Sequence, residues 1–308
     1  MSLVVARTRR DVVTVSGADA ASYLQGQVSQ DVNGLMVGTS TWSFILAPQG
    51  KVDGWGRVYR TAADEFTVDV DAGAGAAWEA RLRRFLMRTK AEISVRTDVT
   101  MLAVRALSDS NTDAVELSKL VKGGLDAGWP GAVGLDRLLP GSGDAGDAGD
   151  TDVAALVAGG AVEIDNEAYE VLRICAGIPR WGSELDADTI PATVGQWAID
   201  ASVSFTKGCY TGQELVARID SRGGNVPRRL LGLLVGGAAP APGAAVTVGG
   251  TPAGEVTSSA ANAGTGSSVA LVYVPRAVEV AAGGVDALVD GRPARLGPVP
   301  IPMLEHPH

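Results

Sequence analysis

The chain has 308 residues, 46% of them hydrophobic, with a net charge of −9 and a pI near 4.8. That length suits two domains or three small ones with a sizeable core, and the dispersed acidic charge argues against a general nucleic-acid binder, which would need a basic face. Two cysteines without paired spacing, and no apolar signal-peptide core in the arginine-bearing first eleven residues, point to a reducing cytoplasm.

Trp42 to Ala47 reads as a strand, closed by a turn at Pro48-Gln49-Gly50. Lys51 to Arg60 and Phe66 to Val70 continue an antiparallel meander around a turn at Ala62-Ala63-Asp64-Glu65. Ala76 to Leu86 sets Trp78, Leu82, Phe85 and Leu86 at helical spacing. Ala91 to Val95 and Met101 to Leu107 predict two further strands, so residues 42–107 form an α+β unit. Arg81, Arg83, Arg84, Arg88 and Lys90 cluster around Phe85 and Met87. Two readings stay open for them: a solvated face at a helix end, or a site for carboxylate or phosphate, both of which arginine pairs well.

Gly141 to Asp150 is low in complexity and reads as a flexible surface linker. Helical patterns resume at Val153 to Leu156 and from Asn166 to Cys175, the latter closed by Gly177 and Pro179; Cys175 reads as core. An irregular stretch runs from Arg180-Trp181-Gly182 towards residue 207. After Pro227 come short β runs, Arg229 to Val235, Ala245 to Val248, Gly254 to Thr257, Val269 to Val274 and Ala287 to Val289. They predict a small antiparallel β-barrel over 228–308, following an α+β region over 1–227. The uncharged stretch Leu231 to Gly254 is broken by glycines and prolines, so no membrane span is expected.

The most informative segment is Lys207-Gly208-Cys209-Tyr210-Thr211-Gly212-Gln213-Glu214. Thr211 and Glu214, three apart and ahead of Leu215, Val216, Ala217 and Ile219, read as a capping box at a helix start. Cys209 then lies before the first turn, where the helix dipole and Lys207 both favour the thiolate. Gly208 and Gly212 allow a close backbone approach. The plain alternative is a small packed thiol beside an ordinary cap.

Other chemistry lacks its parts. The histidines are His306 and His308, in a terminal tail, so no Cys–His dyad or Ser–His–Asp triad assembles. No four-ligand zinc pattern exists, two cysteines cannot hold an all-cysteine iron–sulfur cluster, and no phosphate-loop or dinucleotide fingerprint is present, so no metal site is expected.

The octapeptide resembles the K-G-C-[FY]-x-G-Q-E signature of the YgfZ family of folate-binding proteins, relatives of the glycine-cleavage T-protein. Tyr23-Leu24-Gln25-Gly26-Gln27-Val28-Ser29-Gln30-Asp31-Val32, Pro48-Gln49-Gly50-Lys51 and Arg173-Ile174-Cys175-Ala176-Gly177-Ile178-Pro179 resemble further family segments in order. The resemblance implies an α+β fold: a ring-like multi-domain architecture of ferredoxin-like subdomains with a C-terminal β-barrel, and a reduced folate, tetrahydrofolate or a derivative, in a central channel. It implies an accessory role in iron–sulfur cluster assembly or repair, with iron–sulfur client enzymes as partners and tRNA modification reached through them. On that basis Cys209 and Lys207 are the reactive pair. Gly208, Tyr210, Gly212, Gln213, Glu214, Gln25, Trp181 and Arg84 are the folate contacts, with Trp42, Trp55 and Trp197 as further flat partners for a pterin. Cys209 is expected to face the channel.

The likeness departs in two places. Residues 72–78 lack the carboxylate that the resemblance to the T-protein implies after the strand ending near Val70, and Ala192-Thr193 follow Pro191 where relatives carry an acidic residue. The first departure weighs against aminomethyl transfer, for which acid–base help at the folate nitrogen is required. A folate-dependent one-carbon transferase or demethylase, and a folate-free scaffold, are the alternatives.

Overall fold

The computed structural model describes residues 3–107, 114–139 and 145–301. Its spine is β1 (Leu3–Ser16), whose first residues enter two cores, one on each face, and whose last residues enter a third, while its middle, residues 7–10, stays exposed or half-buried. After α1 (Ala20–Gln27) come β2 (Ser40–Leu46), β3 (Val52–Ala62), β4 (Glu65–Asp71), α2 (Gly75–Arg83) and β5 (Glu92–Ala106). Then follow α3 (Ala114–Leu120), β6 (Leu125–Asp126), β7 (Val133–Leu138), α4 (Ala145–Ala158), β8 (Val162–Glu163) and α5 (Asn166–Ala176). Among the described residues these strands form one sheet in the order β2-β3-β4-β1-β5-β7-β6, with β8 added parallel to β1 at Val4 and Val5. β1 pairs with β5 along its length and with β4 from Arg10 to Ser16, so the two α+β halves share one sheet.

Several boundaries differ from the sequence reading for identifiable reasons. The two strands expected near 91–107 are the single long β5, bulged opposite Arg10 and Val12. β1 went unseen because Arg7, Thr8, Arg9 and Arg10 interrupt its alternation. The linker expectation for 141–150 is corrected in part: residues 145–150 open α4, while 141–144 lie outside the described residues, as do His306 and His308. The irregular stretch before residue 207 contains a helix, α6 (Gln196–Ser202).

Helix ends are fixed locally or from afar. Asp165 caps α5 by accepting from the Ala168 N–H at 2.8 Å, and Gly177 closes it at φ 73°, a left-handed position that favours glycine. α2 has no cap of its own. The buried Asp11 of β1 accepts instead from the Gly73 and Gly75 N–H groups at 2.9 and 3.0 Å, which ties the helix start to the sheet.

β9 (Arg228–Gly236), β10 (Ala245–Val248), β11 (Thr251–Asn262), β12 (Ser267–Pro275), β13 (Val285–Val289) and β14 (Arg292–Gly297) close a barrel in the order β10-β11-β12-β9-β14-β13. Leu233, Val235, Val246, Val272, Val289 and Leu296 fill it. Its outer face, through Leu271 and Tyr273, joins the core of the α+β body around Trp55 and Ile174. Glu184, fully buried, binds the two together. It accepts from Thr257 and Ser258 hydroxyls, each at 2.6 Å, and from Arg173 at 3.2 Å, while its carbonyl accepts from the Tyr273 hydroxyl at 2.8 Å.

Candidate functional site

Two features stand out, and they are separate. The first is a cavity of about 620 Å³ at the meeting of the sheet, α5 and the barrel strand β11. Its wall carries charges that strand alternation turns inward from β1, β3, β4 and β7. Arg57 lies directly opposite Asp69 in the β3–β4 register and bonds it at 3.3 Å, and it reaches Asp136 at 2.9 Å. Asp136 also receives Arg105 at 2.8 Å. Arg10 pairs with Asp71 and lies 3.4 Å from Asp69. Burial pushes the Asp136 carboxyl up, but Arg105 and Arg57 outweigh it and hold the group below the ordinary carboxylate value. Arg57 sits over Trp42 at 5.2 Å, and Trp42 stacks on Trp55 at 4.1 Å with the rings 11° apart. Two wall oxygens, Asp69 Oδ1 and Thr8 Oγ1, are buried without a hydrogen-bond partner among the described residues.

The second feature is the loop 204–212 leading into α7 (Gln213–Asp220). Cys209 is exposed, and Gly208 beside it has open space around it. The capping box does not form: Gly212, left-handed at φ 81°, is the N-cap, and no side chain caps the helix. Glu214 is exposed, and the Gln213 side chain instead accepts from the Tyr210 N–H at 3.2 Å, closing the loop.

Lys207 is turned away from the role expected of it. Its ammonium donates to the carbonyls of Gln25, Val28 and Gln30 at 2.7, 2.7 and 2.9 Å and lies 5.1 Å from the Tyr210 ring centroid. Three N–H donors meet three acceptors, which makes this a fastening and not a thiolate pairing. Burial pushes the Lys207 amine down to about 8, against a smaller opposing pull from Asp31. The Thr211 N–H adds a bond to the Gly26 carbonyl at 3.2 Å.

Gly212 serves packing more than ligand access. A Cβ there would lie 2.5 Å from the Ala47 carbonyl oxygen and 3.2 Å from the Gly50 Cα, so the Pro48-Gln49-Gly50 turn and the start of α7 touch backbone to backbone. Gln25 is held by its own turn: its amide accepts from the Val32 N–H and donates to Asp31. Arg84 is exposed and off the cavity wall, whereas Arg81, beside it in the basic cluster, is buried against Asp53, Gln27 and the Leu46 carbonyl. Of the residues assigned to folate from the sequence, Trp181 alone lines the cavity; Trp42 and Trp55 join it there, and Trp197 packs on Trp55 at 6.0 Å. Cys209 is not on that wall. The charged wall residues were missed, although charges inside otherwise apolar strands, as in Val68-Asp69-Val70-Asp71, were the available signal.

Residues 228–304 match the glycine cleavage T-protein C-terminal barrel domain. Over 239 residues, 76% of this chain and 71% of the relative, the sequence is 30% identical to a tRNA-modifying protein YgfZ of Yersinia pseudotuberculosis. The chain belongs to the YgfZ branch of the glycine-cleavage T-protein superfamily. A further similarity of this YgfZ-family chain, 27% over 222 residues, is to an "iron-sulfur cluster assembly factor IBA57 homolog, mitochondrial" of Neurospora crassa, of which the match covers half. The crystal structure of the glycine cleavage system aminomethyltransferase T from Bartonella henselae superposes with a TM-score of 0.72. It does so over 96% of this chain and 86% of that one at 19% identity, a likeness of fold. Among the described residues no helix is long and apolar enough to cross a membrane, and no group of His, Cys, Asp and Glu is arranged to hold a metal ion.

Proposed function

We propose that this YgfZ-family chain is a cytoplasmic, folate-binding accessory protein that supports iron–sulfur cluster assembly or repair. A reduced folate occupies the cavity, and Cys209 is the working thiol. The observation that carries the folate half is the stacked pair Trp42 and Trp55 on the cavity wall, a flat partner for a pterin ring. The cavity volume lies within the range usual for small-molecule sites. Trp42, Trp55 and Trp181 would flank the ring, and Arg9 and Arg180, which reach solvent from the same wall, would take a carboxylate tail. When bound, a reduced folate supplies one-carbon or redox chemistry; the chain's own residues bind and orient it.

The iron–sulfur half is supported by the names of the Neurospora and Yersinia relatives and by an exposed thiol at the tip of a fastened loop. Client iron–sulfur enzymes, tRNA-modifying ones among them, are the partners this reading calls for. Calorimetric titration with tetrahydrofolate tests the first half: heat with a stoichiometry near one is expected, and Trp181→Ala, which removes a flat flank of the cavity, should weaken binding about tenfold. No heat would leave a folate-free scaffold. Complementation of a deletion strain by Cys209→Ala tests the second half, and full rescue would remove the thiol from the function.

A further inference from the structure

The cavity and the Cys209 loop do not touch, yet one run of hydrogen bonds, buried at Trp55, Ser202 and Ser29 and half-buried beyond, joins them. Trp55 lines the cavity and donates its Nε1–H to the Ser202 hydroxyl at 2.9 Å. The Ser202 carbonyl accepts from the Ser29 hydroxyl at 2.6 Å, and both serines are fully buried. The Ser29 carbonyl accepts from the Ser204 N–H at 3.0 Å, and the Ser204 hydroxyl from the Lys207 N–H at 3.2 Å. The Lys207 ammonium then returns to the carbonyls of Val28 and Gln30, one on each side of Ser29. Along the buried part of this run, each group is obliged by burial to keep its partner. Movement of the Trp55 ring therefore has few ways to be absorbed before it reaches the segment that carries Cys209.

We infer that the Trp55–Ser202–Ser29–Lys207 path couples occupancy of the cavity to the reactivity of Cys209, with Lys207 as a positioning residue that holds the thiol loop to the Ser29 segment. This rests on the proposed function, because it takes Cys209 as the working thiol and a folate as the occupant. A ring packed against Trp55 fixes that side chain, tightens the path and reduces the excursions of the loop, so the thiol reacts more slowly when the cavity is filled.

The test is the rate of alkylation of Cys209 by iodoacetamide in the full-length reduced chain, with the label assigned by peptide mass spectrometry. Without ligand, Ser202→Ala removes the acceptor of Trp55 and should speed labelling of Cys209 by about threefold or more while Cys175 stays unlabelled. An unchanged rate overturns the coupling whether or not any folate binds. If Ser202→Ala also exposes Cys175, the variant has loosened globally. Ser204→Ala, which breaks the half-buried link to Lys207, then decides by the same criterion. With saturating tetrahydrofolate, the unmodified chain should label about threefold more slowly. Calorimetric binding with no change in rate sinks the coupling and leaves the folate reading standing. Absence of binding heat sinks the folate reading, and the ligand-free variants then judge the path.

Discussion

The cavity wall and the Cys209 loop are held by different kinds of interaction. At the cavity wall and just behind it, arginines and carboxylates are paired in the interior: Arg57, Asp69, Arg105 and Asp136 are each 3% exposed or less. In the loop, the Lys207 ammonium on main-chain carbonyls, with the Ser204 and Gln213 side chains accepting main-chain N–H groups, holds the fold while the thiol is left in solvent. The first arrangement makes stability depend on side-chain charge; the second makes it depend on backbone shape and leaves the side chain at 209 free for function. Substitution should therefore separate stability from activity in opposite ways at the two places.

The largest expected effect breaks activity alone. Cys209→Ala should abolish support of iron–sulfur enzymes in a deletion strain and leave the urea midpoint unchanged, because the side chain is exposed. A shifted midpoint would mean that the loop bears stability as the cavity does. Next, Asp136→Asn should cost about 3–5 kcal/mol by urea unfolding, since it leaves Arg57 and Arg105 without their shared carboxylate. The pH dependence follows from the same group. Its folded-state pKa lies below the ordinary value, so its contribution is full above that ordinary value and is lost as pH falls through the folded one. Stability should thus drop below about pH 4, and the asparagine variant should flatten that limb.

Gly212→Ala should cost about 2 kcal/mol, because it puts a Cβ on a left-handed residue and against the Ala47 carbonyl. Gly208→Ala, in the same loop but with open space around it, should cost far less; equal losses would deny the backbone contact its importance. The smallest effect is a count of thiols. Ellman's reagent at about pH 8 should titrate Cys209 alone in the native chain and both cysteines after denaturation, since burial pushes the Cys175 thiol up to about 12.

Much of this contrast could be read in the sequence, but unevenly. The meander, α5 with its glycine stop and the barrel strands were visible because alternation, helical spacing and turn residues act locally. The octapeptide was visible as a motif; its cysteine is exposed, off the cavity wall that the sequence reading expected it to face. What was hidden depends on residues far apart in the chain. Asp11 caps a helix more than sixty positions on, at Gly75. Lys207 seeks carbonyls at 25–30, which no local pattern reveals. The charged wall looked like interruptions in strands until the register set Arg57 opposite Asp69. Thr211 and Glu214 had the spacing of a capping box, yet the close approach of Gly50 and Gly212 governs that helix start instead.

Glu184 carries a consequence for anyone who would dissect the molecule. Its carboxylate belongs to the body by sequence, but two of the groups that enclose it, Thr257 and Ser258, arrive from the barrel. A chain cut after Pro227 would leave that oxygen facing a raw surface, with the Tyr273 hydroxyl gone from its carbonyl as well. The change in composition near Pro227 looks like the natural place for scissors, and it is where amputation would do the most harm.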